Sequence, residues 1–295
     1  MLWWFNVIKY IMVPIFIRGP SGEAGGREPS KKKEEPFVMK KTLALLLLAL
    51  LLLTACSAPA GKGETDNKLV VGLDDSFPPM GFRDDDSNLV GFDIDLAKAL
   101  GEELGLEVEF KPIDWDAKVM ELDAGNIDCI WNGLSISPER EEEMDFTRPY
   151  LANEQLIIVL SDSTVSGIAD LEGLTVGLQR GSTALDAFNK NEISGKVAGL
   201  NEYADNVAAL TDLSIGRIDA VVMDEVVARY YETKDAGTYK VLDESFAAEQ
   251  YAIGIKKGNT ELKETIQAGF DKLIENGKAA EISEKWFGKD IVLKP

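Results

Sequence analysis

No histidine occurs anywhere in the 295 residues. The usual general base, the commonest zinc ligand and every Ser–His or Cys–His nucleophile pair go with it. Cysteine is nearly as scarce: Cys56 and Cys129 are the two present, too few for a structural zinc site or a disulfide framework. Basic residues are in the minority, 31 against 51 acids, for a formal net charge of −20. Because the first 56 residues hold eight of the bases and four of the acids, the remainder is more acidic still. Such a surface repels phosphate backbones and offers no polybasic attraction to anionic lipid, so nucleic acid is excluded as a partner. No Gly-Lys-Ser/Thr phosphate loop is present, and no fixed-period repeat. The acidic run Asp84–Asn88 lacks the glycine and terminal glutamate of a calcium loop and reads as a solvated turn. No metal and no cofactor is expected.

What is present begins with an address. From Met39, the sequence MKKTLALLLLALLLLTAC sets Lys40 and Lys41 before an unbroken Leu/Ala run, Leu43–Leu53. The run is shorter than the roughly 20 residues that span a bilayer but suits the apolar core of a signal peptide. Its end, Leu53-Thr54-Ala55-Cys56, resembles the lipobox of bacterial lipoproteins, in which the cysteine becomes the lipidated first residue. The expected division is a start extension over 1–38, a lipoprotein signal over 39–56 with lipid on Cys56, and a small, polar linker over 57–66. Residues 1–38, apolar then low-complexity, do not belong before a signal peptide, so translation is expected to begin at Met39.

Beyond residue 66 strands and helices alternate. KLVVGL, EVEFKPI, IDCIWNGL, QLIIVL, LTVGL, IDAVVM and YAIGIKKG read as strands. GFDIDLAKALGEELG carries Ile94, Ala97, Leu100 and Leu104 at helical spacing and stops at Gly105. WDAKVMELDAGN, STALDAFNK, the whole of NEYADNVAALTDLSIG and the long stretch TELKETIQAGFDKLIENGKAAEISEKWFG read as further helices. Alternation of this kind predicts α/β architecture with largely parallel sheets in two sets.

Three strand–loop–helix junctions stand out: WNGLSISPER (131–140), VGLQRGSTALD (176–186) and AVVMDEVVA (220–228). In open α/β sheets, ligands bind beyond the carboxyl ends of the strands. The first junction offers Arg140 in the first turn of a helix begun by Ser137-Pro138. The second offers Ser182 and Thr183 at another helix start, and the third Asp224 at a strand's end. A guanidinium fork with hydroxyls and amides can hold a carboxylate, and an aspartate can hold an ammonium group. Together they meet the requirement of a free α-amino acid. Taken singly, Arg140 reads as a surface ion pair, and GSTALD and Asp224 as plain helix caps.

From Lys68 to about Lys289 the chain resembles the polar amino-acid family of bacterial ABC-transporter substrate-binding proteins. The resemblance is carried by VGLDDSFPPMGF, LVGFDIDLAKAL, AGNIDCIWNGLSISPERE, FTRPY, LTVGLQRGST, GRIDAVVMDE and YAIGIKKGN, in that order. It implies a two-lobe α/β fold of the periplasmic-binding-protein type (type II), with two hinge crossings and a ligand cleft between the lobes. Residues 67–153 and 247–295 would form lobe 1, and 154–246 lobe 2. On that resemblance Arg140 grips the α-carboxylate, helped by Ser182 and Thr183. Asp224 accepts the α-ammonium together with groups around Gly133 and Ser135. Phe77 and Trp115 wall the side chain, a role that competes with ordinary core packing, while Asp74, Asn132 and Gln179 set specificity. Asp74 would favour arginine or lysine; Asn132 and Gln179 would favour glutamine, asparagine or cystine. Cys129, with Cys56 lipidated, is left as an apolar strand residue.

The expected partners are a free polar amino acid, a membrane permease and a separate ATPase; the membrane is reached through the lipid on Cys56. The protein is expected to act as a monomer outside the cytoplasm and not as an enzyme. The competing reading is a cyclohexadienyl (arogenate or prephenate) dehydratase on the same scaffold, with Asp74, Asp75 or Glu225 as general acid. A sensor or adhesin role is a third.

Overall fold

A computed structural model describes residues 67–295. The expected start extension, signal peptide, lipidated Cys56 and linker lie outside the described residues.

The chain enters on β1 (Lys68–Leu73), then forms a small three-stranded meander of β2 (Ser76–Phe77), β3 (Gly81–Arg83) and β4 (Leu89–Val90). Between β2 and β3 lies a cis Pro78–Pro79 bond. Helix α1 (Phe92–Leu104) buries Phe92, Leu96, Ala97 and Leu100. It ends where Gly105, at φ 67°, takes the left-handed conformation that a Cβ penalises. Strand β5 (Glu107–Pro112) follows, then α2 (Lys118–Asp123), shorter than its sequence suggested because one 3-10 turn, Trp115–Ala117, precedes it. Strand β6 (Cys129–Ile130), α3 (Pro138–Glu143) and β7 (Met144–Phe146) complete the first run.

The chain then crosses along β8 (Leu151–Leu160). It builds β9 (Thr175–Gln179), α4 (Thr183–Lys190), β10 (Gly199–Tyr203), α5 (Asn206–Ser214), β11 (Ala220–Asp224) and α6 (Glu225–Lys234). It returns along β12 (Tyr239–Tyr251), 13 residues long. The last elements are β13 (Gly254–Lys256), α7 (Thr260–Glu275) and α8 (Lys278–Phe287).

Two five-stranded sheets result, ordered β5-β1-β6-β13-β7 and β10-β9-β11-β8-β12. Three neighbours in each, β5-β1-β6 and β10-β9-β11, are parallel. The remaining pairs are antiparallel, so the sheets are mixed and not largely parallel. The antiparallel strands are those that cross between the sheets or follow a crossing, a consequence that strand periodicity does not reveal. Three further sequence readings are corrected. Residues 201–203, read as the start of a helix, belong to the strand β10. The long C-terminal helix is two, broken at Gly277 with φ 83°. And β12 carried no legible strand pattern, because its pairing with β8 slips between Val241 and Ala247 and interrupts the alternation.

Cys129 is fully buried in β6 with a free thiol, and burial pushes that thiol's pKa up. Among the described residues, no helix is long and apolar enough to cross a membrane.

Candidate functional site

The carboxyl ends of the parallel strands in both sheets converge on one narrow cleft. Phe77, Trp115, Gly133, Ser135 and Arg140 wall it from the first sheet's side. Gln179, Ser182, Thr183 and Asp224 wall it from the second. Nine of the eleven candidate residues therefore meet. Asp74 and Asn132 are also buried, and each is joined to the others by hydrogen bonds.

Arg140 is buried, contrary to the surface-pair reading. Its backbone N–H is taken by the Ser137 hydroxyl, which caps α3. The guanidinium, however, is aimed inward: Nη1 donates to the Ser135 carbonyl at 2.8 Å and Nη2 to that of Gly181 at 3.2 Å, across the cleft. Two of its five N–H groups are thus used for positioning, which leaves the rest of the fork for a ligand. Burial lowers its pKa, and the negative charges of Glu249, Asp186, Asp224 and Glu143 oppose that.

Asp224 ends β11 and starts α6, yet its side chain makes no capping bond. Its Oδ1 instead accepts hydrogen bonds from Asn153 Nδ2 (2.7 Å), Tyr251 Oη (2.7 Å) and Gln155 Nε2 (2.9 Å). Burial first, and then the charge of Glu249, push its carboxyl up to about 7. Ser182 behaves differently: its Oγ accepts from Leu185 N as the cap of α4 and donates to the Gln179 carbonyl. Thr183 Oγ1 donates to Glu249 Oε2 at 3.0 Å.

At the other end, Asp74 Oδ2 accepts from Gln179 Nε2 at 2.8 Å, joining the two sheets, and Oδ1 accepts from Ser76 N. Burial raises the Asp74 carboxyl to about 6, against those two bonds and with the help of Asp205 and Asp75. Asn132 Oδ1 accepts from Asp74 N at 3.1 Å, while its Nδ2 is buried with no hydrogen-bond partner. Gly133, at φ 58°, donates to Asp93 at 2.7 Å; a Cβ there would stand 2.7 Å from Phe77 and 3.1 Å from Tyr251. Only glycine lets the backbone pass so close to the aromatic wall.

Several residues at the site were not anticipated. Lys118 is buried, and its Nζ donates to the carbonyls of Trp115 and, across the cleft, Gly181. Burial and the neighbouring Arg140 push its pKa down to about 7. Glu249 on β12 receives Ser135 Oγ (2.6 Å) as well as Thr183. Asn153 and Gln155 occupy alternate positions at the start of β8, a polar pair on an otherwise apolar buried face. That alternation was a usable signal, whereas Glu249 and Lys118 had none.

The arrangement can hold a zwitterion: a guanidinium at one side, buried carboxylates at another, aromatic rings between. Residues 69–289 match the family described as bacterial extracellular solute-binding proteins, family 3. The L-cystine-binding protein of Escherichia coli K12 is 32% identical over 225 residues, covering 76% of this chain and 84% of that protein. An arginine-binding extracellular protein of Bacillus subtilis is 30% identical over 239 residues, covering 80% and 92%. Among solved structures, an ABC uptake transporter substrate-binding protein from Streptococcus pneumoniae with bound histidine superposes with a TM-score of 0.75 at 39% identity, covering 77% of this chain and 95% of that one. An ancestral amino-acid-binding protein described as a precursor of cyclohexadienyl dehydratase gives 0.70 at 34% identity, over 75% and 96%. With the two-lobe architecture and these matches in place, the chain belongs to the family 3 bacterial extracellular solute-binding proteins.

Proposed function

We propose that this protein is the extracytoplasmic substrate-binding lipoprotein of an amino-acid ABC importer. It captures one free polar amino acid by closing lobe 1 (67–153 and 247–295) on lobe 2 (154–246) and delivers it to a permease. The observation that carries this reading is the pairing, around one cleft, of the inward-facing Arg140 fork with the Asp224 carboxyl. Arg140 with Thr183 and Ser182 takes the α-carboxylate, and Asp224 with Ser135 takes the α-ammonium. Phe77 and Trp115 sandwich the side chain, which runs toward Asp74, Asn132 and Gln179. That far end is polar, as a polar side chain requires. Lipid on Cys56 keeps the monomer beside the permease, and a separate ATPase drives transport.

Closure follows from differential affinity: contacts to Ser182, Thr183 and Asp224 exist for the ligand only when the lobes meet. Thermal unfolding of the purified protein with each common amino acid and cystine at millimolar concentration tests the reading. A ligand a thousandfold above its Kd adds about 4 kcal/mol, a rise on the order of 10 °C for a domain of this size. One amino acid should stand out. If none raises the midpoint while prephenate is converted to phenylpyruvate or arogenate to phenylalanine, the dehydratase reading replaces this one.

A further inference from the structure

Asp224 and Glu249 share their hydrogen-bond donors. Gln155 Nε2 is 2.9 Å from Asp224 Oδ1 and 3.0 Å from Glu249 Oε2, and Asn153 Nδ2 is 2.7 and 3.4 Å from the same two atoms. Two carboxylates bridged by one amide nitrogen lie within about 6 Å, close enough that both cannot carry full charge cheaply in a buried site. The side-chain oxygens of Asn153 and Gln155 are buried there too, and neither has a hydrogen-bond partner. Two carboxyls and two idle amide oxygens form a place for a positively charged donor with several N–H groups.

The charges around the pair come from every neighbouring element. Arg140 on α3 faces both carboxyls and Asp186 on α4, and Lys118 on α2 lies behind it. Tyr251 on β12 donates to Asp224, while Glu154 on β8 and Glu225 on α6 line, with Glu249, a crevice open to solvent on the outer side of the crossing strands. Glu249 therefore reaches the cleft through the hydroxyls of Ser135 and Thr183 and bulk water through this crevice.

We propose that Asp224 and Glu249 hold one proton between them while the cleft is empty, and that the ligand's α-ammonium takes its place. Glu249 is the positioning residue: its charge keeps the proton on Asp224 until a cation arrives. The proton leaves through the outer crevice, and the ammonium keeps its own protons. This inference rests on the reading that the cleft takes an α-amino acid. The Asp224 carboxyl, raised to about 7, fits that role. A carboxyl whose pKa is higher empty than occupied binds more weakly as pH falls, so this pair should make Kd grow close to tenfold per unit below about pH 6 and add no pH dependence above about 8.

The test is calorimetric titration with L-arginine, and with L-glutamine as a probe of uncharged side chain, in two buffers of different ionisation enthalpy. At pH 6 the heats should differ by the amount expected for nearly one proton released per ligand. Lys118, at about 7, gives up a proton only near and above neutrality, so the acid range isolates the carboxyl pair. In Glu249→Gln, binding persists but release at pH 6 falls, because Asp224 now ionises at lower pH. Should that variant fail to fold, the carbon-13 shift of the Asp224 carboxyl in the wild type reads the same titration and should turn near pH 7. Binding with buffer-independent heat at pH 6 overturns the inference and leaves the amino-acid reading standing. Binding of neither these probes nor any other amino acid overturns both.

Discussion

Replacing Arg140 by alanine and by lysine separates charge from fork. The guanidinium is held by the Ser135 carbonyl on its own side of the cleft and, with the lobes together, by that of Gly181 across it, so its plane is fixed in the closed form. A carboxylate taken bidentately by that plane makes two hydrogen bonds to a charged donor, each worth roughly 1.5–3 kcal/mol. Alanine removes both, and about 4 kcal/mol corresponds to a loss near a thousandfold in Kd. Lysine keeps the charge but as a point without the second donor, and should forfeit about 2 kcal/mol, near thirtyfold. The free protein should change less, because Lys118 still donates to the Gly181 carbonyl and only Ser135 O loses its partner. Calorimetric titration with the best ligand from the thermal screen measures Kd, and unfolding without ligand measures the fold. Alanine and lysine variants that both bind within threefold of the wild type would refute the assignment of Arg140 as carboxylate anchor.

Gly133→Ala should cost about 2–4 kcal/mol in urea unfolding, from a left-handed backbone and a Cβ 2.7 Å from Phe77, and should weaken ligand binding by displacing that ring. Gly125→Ala, at φ 72° with nothing within 4 Å, should cost about 1 kcal/mol and leave binding alone; equal costs at the two positions would count against the close approach. Lys118→Met removes a buried cation whose pKa is lowered on folding, so the wild type carries the full penalty below pH 7 and sheds it as pH rises toward 10. The variant should therefore gain about 1–2 kcal/mol at pH 6 and progressively less at pH 9; a loss at pH 6 with a gain at pH 9 would reverse the sign of the argument.

The parts of the fold that sequence made legible are those whose burial follows a local period. Helix α1 was readable because Ile94, Ala97 and Leu100 fall on one side and are all buried, and because Gly105 stops it. The central strands β1, β9 and β11 were readable as short apolar runs. Strand β12 was not. It leaves one sheet, pairs with β8 through two irregularities and exposes alternate stretches of different faces, so no single period describes it. The same applies to antiparallel pairing: β13 lies between β6 and β7 because the chain returns from the second lobe, a fact of topology with no local signature.

The site shows the corresponding limit in its chemistry. Arg140, Thr183 and Asp224 sit at junctions where strand ends meet helix starts, and position alone marked them out. The residues that set their electrostatics lie elsewhere in the chain: Glu249 is 25 positions beyond Asp224 and Lys118 is 22 before Arg140. Neither belongs to a junction, and each acquires its role only when the folded chain brings it beside a group of like charge. Like-charge pairs are what a folded domain ordinarily avoids burying. Here one occurs on each side of the cleft, two carboxyls near the proposed ammonium position and two cations near the proposed carboxylate position. On the proposed reading, each pair is costly in the empty cleft and one end of a zwitterion relieves it. In that reading, the empty cleft answers the first repulsion with a bound proton and keeps the second; an amino acid's ammonium displaces that proton and its carboxylate relieves the two cations. Under the proposed function, that difference is the differential affinity that favours the closed form when ligand is present, and it resides in residues the motifs do not contain.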